Sequence, residues 1–223
     1  MKNTAELNAK AIIFDADGTL FNSFELIVSA YRHVAETHNL KPPTPEEIRV
    51  QLGNSLPDIF RTFYPDQNIA ELLAANNAFV AANTMKSEAF EGLHDMLSSL
   101  NNLGLKLAIL TSGGANIHHS LKHHKVSDYF TSVVHHERIA KPKPDPEGFL
   151  LASTECGVKP GEAIMVGDTV SDILTGKNAG ALATVAITHG YGLSNDLVDA
   201  NPDYIVDSLQ KFTDIMTNLS IPA

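Results

Sequence analysis

Two carboxylates stand two residues apart at the end of an apolar run, in AIIF-Asp15-Ala16-Asp17-Gly18-Thr19-Leu20. Alternate residues of an extended chain point the same way, so a continued strand would aim both at one crevice. A carboxylate can attack a phosphoryl group and form an acyl-phosphate. A second one, its pKa raised by nearby negative charge, can protonate the leaving oxygen. The competing interpretation is an ordinary Asp-Gly turn. Three later segments end in the same manner: LKLAIL before Thr111-Ser112-Gly113-Gly114, SVVHHERIA before Lys141-Pro142-Lys143-Pro144, and AIMVG before Asp168-Thr169.

Asp168 and Asp172 form a second acidic pair. Ligands that are all oxygen point to Mg²⁺ rather than zinc. Asp168 reads as a direct ligand. Asp172 reads as one acting through water, or as a first-turn helix residue favoured by the macrodipole. Several carboxylates and a phosphate cannot share a crevice uncompensated. Lys141 would supply one positive charge and Mg²⁺ two; Lys143 competes with Lys141 for the role, and either could be a solvated lysine. The prolines 142, 144 and 146 stiffen this loop. Thr111 and Ser112, with the glycines before a helix, suit an anion site or a plain helix N-cap. His119 and His123 have zinc-compatible spacing but no third ligand, so they read as a solvated helix face. Gly190-Tyr191-Gly192 reads as a surface loop. Gly53-Asn54-Ser55 punctuates a helical stretch and could face the crevice.

These residues need elements to hold them. Ala11–Phe14 is short and wholly apolar, as a buried parallel strand should be. From about Asn22 to Ser87 the pattern is helical throughout: Phe24 to His38, then a helix from Pro45 to near Gly53, then Pro57–Phe63 and Asn68–Met85. Thr44 and Glu47 form a capping-box pattern with Pro45 at the first helical position. From Glu91 on, strands and helices alternate. Strands are expected at Lys106–Leu110, Ser132–Val134, Ala163–Val166, Leu182–Ile187 and Tyr204–Val206. Helices are expected at Leu93–Leu103, Ala115–His124, Pro146–Cys156, Ser171–Ala179 and Leu209–Leu219. This rhythm predicts an α/β fold, a doubly wound parallel sheet of Rossmann-like type with an all-helical insertion after the first strand. Strand carboxyl ends then share one edge, where ligands bind.

Composition narrows the function classes. The 223 residues include 43% hydrophobic types, enough for an ordinary core. A formal charge of −10 disfavours nucleic acid and anionic membranes as partners. The single cysteine, Cys156, excludes an intrachain disulfide, reads as a helix-packed thiol and suits a cytoplasmic protein. The polar start MKNTAELNAK has no apolar core of a signal peptide. No stretch approaches the ~20 apolar residues of a membrane span.

The ordered set DADGTL, LTS, KPKPDP and GDTVSD resembles the haloacid-dehalogenase-like phosphatase superfamily, over nearly the whole chain. The resemblance implies Asp15 as nucleophile and Asp17 as general acid and base. It implies Mg²⁺ held by Asp15, the backbone carbonyl of Asp17, and Asp168. Thr111 and Lys141 match the phosphoryl-binding positions, the KPxP context selecting Lys141 over Lys143. The insertion resembles the family's cap, which gives a core of residues 1–21 and 88–223 and a cap of 22–87, with Asn54 and Ser55 as specificity residues. Asp17 favours phosphoryl chemistry, because dehalogenases lack a carboxylate there. Gly53 is followed by no basic residue and the last motif reads GD; both disfavour a β-phosphoglucomutase-like phosphomutase. GNSLPDIF and DGTLFNS look most like phosphoglycolate phosphatases and related pyrophosphatases, with Asn22 departing from their common Asp. The expectation is a Mg²⁺-dependent phosphohydrolase of a small phosphorylated metabolite, phosphoglycolate-like, acting as monomer or dimer. A pyrophosphatase or the mutase is the alternative. A non-enzymatic receiver-type switch would be shorter and lack the insertion.

Overall fold

The computed structural model describes residues 9–219. The polar start falls almost wholly outside them, as do the first eight and last four residues of the expected core. The elements are β1 (Ala11–Phe14), β2 (Phe21–Asn22), α1 (Phe24–Thr37), α2 (Pro45–Gln51), α3 (Leu56–Phe63), α4 (Ile69–Asn83), β3 (Glu88–Ala89), α5 (Leu93–Asn102) and β4 (Lys106–Leu110). They continue with α6 (Ile117–His123), β5 (Phe130–Val134), α7 (Glu147–Glu155), β6 (Ala163–Gly167), α8 (Val170–Ala179), β7 (Ala183–Ile187), α9 (Ser194–Asp199), β8 (Tyr204–Val206) and α10 (Leu209–Leu219).

Six strands form one parallel sheet in the order β5-β4-β1-β6-β7-β8. The central strand β1 is apolar at every position because both its faces are covered. Ile12 and Phe14 join Ile109, Val166, Leu97 and Phe212 on one face. Ala11 and Ile13 join Leu110, Met165, Phe149 and Ala152 on the other. Burying one such large side chain contributes about 1.5–3 kcal/mol. Cys156 packs into the second face, and burial pushes its thiol up to about 11. The chain goes from β1 to β4 and β5 on one side, then crosses to β6, β7 and β8 on the other. The reversal leaves a crevice beside β1 at the carboxyl edge.

Between β2 and β3, which pair antiparallel, lie four helices with an apolar cluster of their own that includes Tyr31, Val34, Ile48, Phe60 and Leu72. The Thr44 cap forms as expected: Glu47 N–H donates to Thr44 Oγ1 at 3.2 Å and Thr44 N–H to Glu47 Oε2 at 2.7 Å. Such a cap is worth about 1 kcal/mol. Asn22 is not the first residue of a strandless stretch; it pairs with Glu88 in the ribbon through which the chain leaves and re-enters the sheet domain. Helix α9 is a further addition, since its six residues carry too little periodicity to be read. No helix among the described residues is long and apolar enough to cross a membrane.

Candidate active site

Asp15 follows β1 directly, and its N–H donates to Val166 O of the neighbouring β6 at 2.8 Å. The sheet thus holds its backbone while the side chain leaves the strand end. The strand does not continue to Asp17. Leu20 and Phe21 N–H both donate to Ala16 O, closing a tight turn, and Gly18 sits at φ 86°. A Cβ on Gly18 would lie 2.2 Å from Asp168 Oδ2, so close approach as well as the positive φ requires glycine. Asp17 still reaches the crevice, by way of the turn.

Asp168 follows Gly167 at the end of β6 and is fully buried. Its Oδ1 accepts from Thr19 Oγ1 at 2.8 Å and its Oδ2 from Tyr191 N–H at 2.7 Å. Asp172, also fully buried, closes a capping box on α8: its Oδ2 accepts from Thr169 N–H at 3.0 Å and Thr169 Oγ1 at 2.7 Å. Asp15, Asp168 and Asp172 each offer a carboxylate oxygen within 4.8 Å of the others. Asp172 therefore belongs with the direct ligand candidates as well as the helix start. The Asp17 carboxylate lies outside that group.

The lysine assignment changes. Lys143 Nζ, not that of Lys141, enters the site, donating to Asp15 Oδ1 at 2.8 Å, Asp172 Oδ1 at 2.6 Å and Leu110 O at 3.4 Å. Lys141 stays 71% exposed, its ammonium 3.8 Å from Asp145. The Glu147 carboxylate takes the N–H groups of Ala140 and Lys141, pinning that backbone outside the crevice. A turn closed by Asp145 N–H on Pro142 O then brings Lys143 under the end of β4.

Electrostatics reflect crowding. Burial raises the Asp15 carboxyl well above its ordinary range; Lys143 opposes this, and Asp172 and Asp168 add to it. Burial and Asp172 push Asp168 up to about 7, against the bonds from Tyr191 and Thr19. Burial works to lower Lys143, but Asp15 and Asp172 outweigh it and keep the ammonium charged. One ammonium faces three buried carboxylates, so the cluster holds more negative charge than the protein neutralises. Hard, all-oxygen donors with surplus charge fit a dication such as Mg²⁺.

Asp17 borders the cavity. Burial raises its carboxyl, while a very short bond from Ser23 Oγ lowers it. Thr111 directly follows β4 as a buried side chain and accepts from Gly113 N–H at 3.0 Å. It is no helix cap, since α6 begins only at Ile117. Ser112 Oγ donates to Gly53 O at 3.3 Å, tying the sheet domain to the insertion. Asn54 borders the cavity, whereas Ser55 caps α3 by accepting from Asp58 N–H. His119 and His123 lie exposed on α6.

Gly190-Tyr191-Gly192 is not a surface loop. Tyr191 is 6% exposed, and its hydroxyl accepts from Ser23 N–H at 2.7 Å. It thereby links Asp168 to the start of α1 beside Asp17. Thr19, Ser23 and Lys143 lie inside the motif segments DGTLFNS and KPKPDP, whereas Tyr191 lies in none. The available signal for Tyr191 was position: its loop leaves the carboxyl end of β7, the same edge as the other clusters.

A haloacid dehalogenase-like hydrolase family model matches residues 12–186. The pyrophosphatase PpaX of Halalkalibacterium halodurans is 31% identical over 214 residues, covering 94% of this chain and 98% of that protein. The PpaX of Anoxybacillus flavithermus is 30% identical over 220 residues, with 96% and 99% covered. Among solved structures, a hydrolase from Pseudomonas syringae superposes with TM-score 0.83 at 23% identity, covering 95% of this chain and 99% of that one. A predicted phosphoglycolate phosphatase from Haemophilus somnus gives 0.83 at 22%, with 94% and 98% covered. At these identities the structures attest the fold.

Proposed function

The chain belongs to the haloacid dehalogenase-like hydrolase family, and we propose that it is a Mg²⁺-dependent phosphohydrolase of small phosphate esters working through an aspartyl-phosphate on Asp15. The observation that carries this is the Lys143 ammonium bridging Asp15 and Asp172, with Asp168 grouped beside those two carboxylates and with Asp17 and Thr111 bordering the same cavity as Asp15 and Lys143.

Lys143 engages Asp15 Oδ1, which orients the carboxylate and leaves Oδ2 without a hydrogen-bond partner among the described residues. Oδ2 attacks phosphorus, forming the new O–P bond as the ester P–O bond breaks. Asp17, whose carboxyl burial raises above its ordinary value, gives its proton to the departing oxygen. Asp17, now a carboxylate, takes a proton from the water that cleaves the Asp15 phosphate. Thr111 and Lys143 donate to the phosphoryl oxygens as charge develops there. Mg²⁺ would be held by Asp15, Asp168, the Asp17 carbonyl and, directly or through water, Asp172; when bound it neutralises charge on the phosphoryl oxygens. In this proposal residues 22–87 act as a cap over the core of 1–21 and 88–223, excluding water during the first step. The compartment proposed is the cytoplasm.

The names of the PpaX relatives favour pyrophosphate as a second reading of the substrate, and the motif resemblance favours phosphoglycolate. The core residues handle the phosphoryl group common to both. The test is phosphate release from a panel of esters with Mg²⁺ and with chelator, for the native protein and Asp15→Asn. Loss of at least about 10³-fold is expected for the variant, in line with removal of a covalent nucleophile. Full turnover by Asp15→Asn would sink the proposal.

A further inference from the structure

The cavity bordered by Asp15, Asp17 and Lys143 extends from the sheet edge into the helical insertion and has a volume of about 140 Å³. A protein cavity of about 150 Å³ holds a benzene-sized molecule, so this one suits an ester of a few carbons. Its insertion side is hydrocarbon from Leu26, Ile27, Ile59 and Val80.

Polar groups on that wall are neutral. Asn76 is 5% exposed, and its amide reaches only Asn77 Oδ1 at 3.5 Å, the outer limit of a hydrogen bond. Asn77 borders the cavity beside it. Tyr31, on the same wall, has a buried hydroxyl with no partner among the described residues. Buried polar groups normally have partners, so this wall has capacity to spare for a hydroxylated ligand.

Lys143 is the one cation among the described residues bordering the cavity, and it is engaged by Asp15 and Asp172. Neither basic side chain that stacks on a ring of the insertion borders this cavity: Arg49 lies over Phe24 at 4.2 Å and faces an adjoining cavity that shares Leu52, Gly53, Asn54, Thr169 and Tyr191, and Lys86 lies 5.8 Å from the Phe79 ring centre. The carboxylate of glycolate, or the phosphate released from pyrophosphate, would face amides and hydrocarbon with two carboxylates nearby. An uncompensated charge is strongly disfavoured in such surroundings.

We infer that the leaving group this protein accepts is a small uncharged alcohol, with a hydrocarbon face against Leu26, Ile27, Ile59 and Val80 and hydroxyls toward Asn76 and Asn77. This rests on the phosphohydrolase proposal above and departs from both substrates that likeness suggests. The experiment compares kcat/KM, with Mg²⁺, for neutral polyol and sugar phosphates against phosphoglycolate and pyrophosphate, with p-nitrophenyl phosphate as a common reference. The best neutral ester is expected to exceed both anionic leaving groups by at least about tenfold. Equal or faster turnover of phosphoglycolate or pyrophosphate, with p-nitrophenyl phosphate still cleaved, overturns the inference alone. No cleavage of any ester, the reference included, sinks the phosphohydrolase proposal and the inference with it. Asn77→Lys places an ammonium on the wall and should raise phosphoglycolate relative to the neutral ester by about fivefold, the scale of a partly exposed ion pair. An unchanged ratio would remove this wall from leaving-group recognition.

Discussion

Replacing Asp168 by Asn is expected to stabilise the metal-free protein, and to do so only above mildly acidic pH. Asp168 is fully buried, and its carboxyl is pushed from 3.8 up to about 7 by burial and by Asp172. A rise of about three pH units at 1.36 kcal/mol per unit is about 4 kcal/mol carried by the ionised form in the fold. Asp172 shares part of that repulsion, so the amide should recover about 2–4 kcal/mol at pH 8. The sign follows from proton counts. Between 3.8 and 7 the folded Asp168 holds a proton that the unfolded chain has lost, so stability falls as pH rises through this window. At pH 4.5 the native carboxyl is already neutral, and the difference shrinks to below about 1 kcal/mol. For a chain of this length each kcal/mol moves Tm by about 2–4 °C, giving a gain of about 5–15 °C at pH 8. The assay is thermal unfolding in chelator at pH 4.5 and pH 8. Added Mg²⁺ should raise Tm of the native protein and leave the variant nearly unmoved. An Asp168→Asn protein less stable than the native one at pH 8, or a gain equal at both pH values, would refute the argument that this cluster holds excess negative charge.

Lys143→Met should lower kcat by about 10²–10³-fold, the scale for removing one electrostatic stabiliser, whereas Lys141→Met should stay within about twofold; steady-state kinetics on both variants decides between the two lysines. Ser23→Ala removes the hydroxyl that lowers Asp17, so the alkaline limb of the kcat/KM profile should move to higher pH. Tyr191→Phe leaves the buried Ser23 N–H without its acceptor and should cost about 1–3 kcal/mol in chemical denaturation. His189, stacked on Phe90 and bonded to Thr19 O, is lowered by burial. A histidine held neutral in the fold loses its stabilisation as pH falls through its unfolded value of about 6.5, so native Tm should drop from pH 7.5 to 5.5 more steeply than that of His189→Phe.

Much of this was visible in the chain itself because it is local. The apolar quartet Ala11–Phe14, the strand Lys106–Leu110 and the Thr44 capping box depend on neighbours a few residues away, and each appears where its pattern placed it. Asp15, Thr111 and Asp168 directly follow β1, β4 and β6, whose parallel pairing brings these ends to one edge, whereas Asp17 arrives through a turn that alternation along a strand did not foresee. What periodicity could not supply was the direction of side chains in loops. Lys141 and Lys143 sit in the same proline-rich context, and their difference is made by Glu147 pinning one backbone and by Leu110, Asp15 and Asp172 receiving the other ammonium. Tyr191 looks like loop filler between two glycines until Asp168 and Ser23, 23 and 168 residues away, supply its partners. Residue type and spacing settle which chemistry a chain can perform at a strand end. Which of two like side chains performs it depends on contacts across the fold, because a loop has no repeat to aim it.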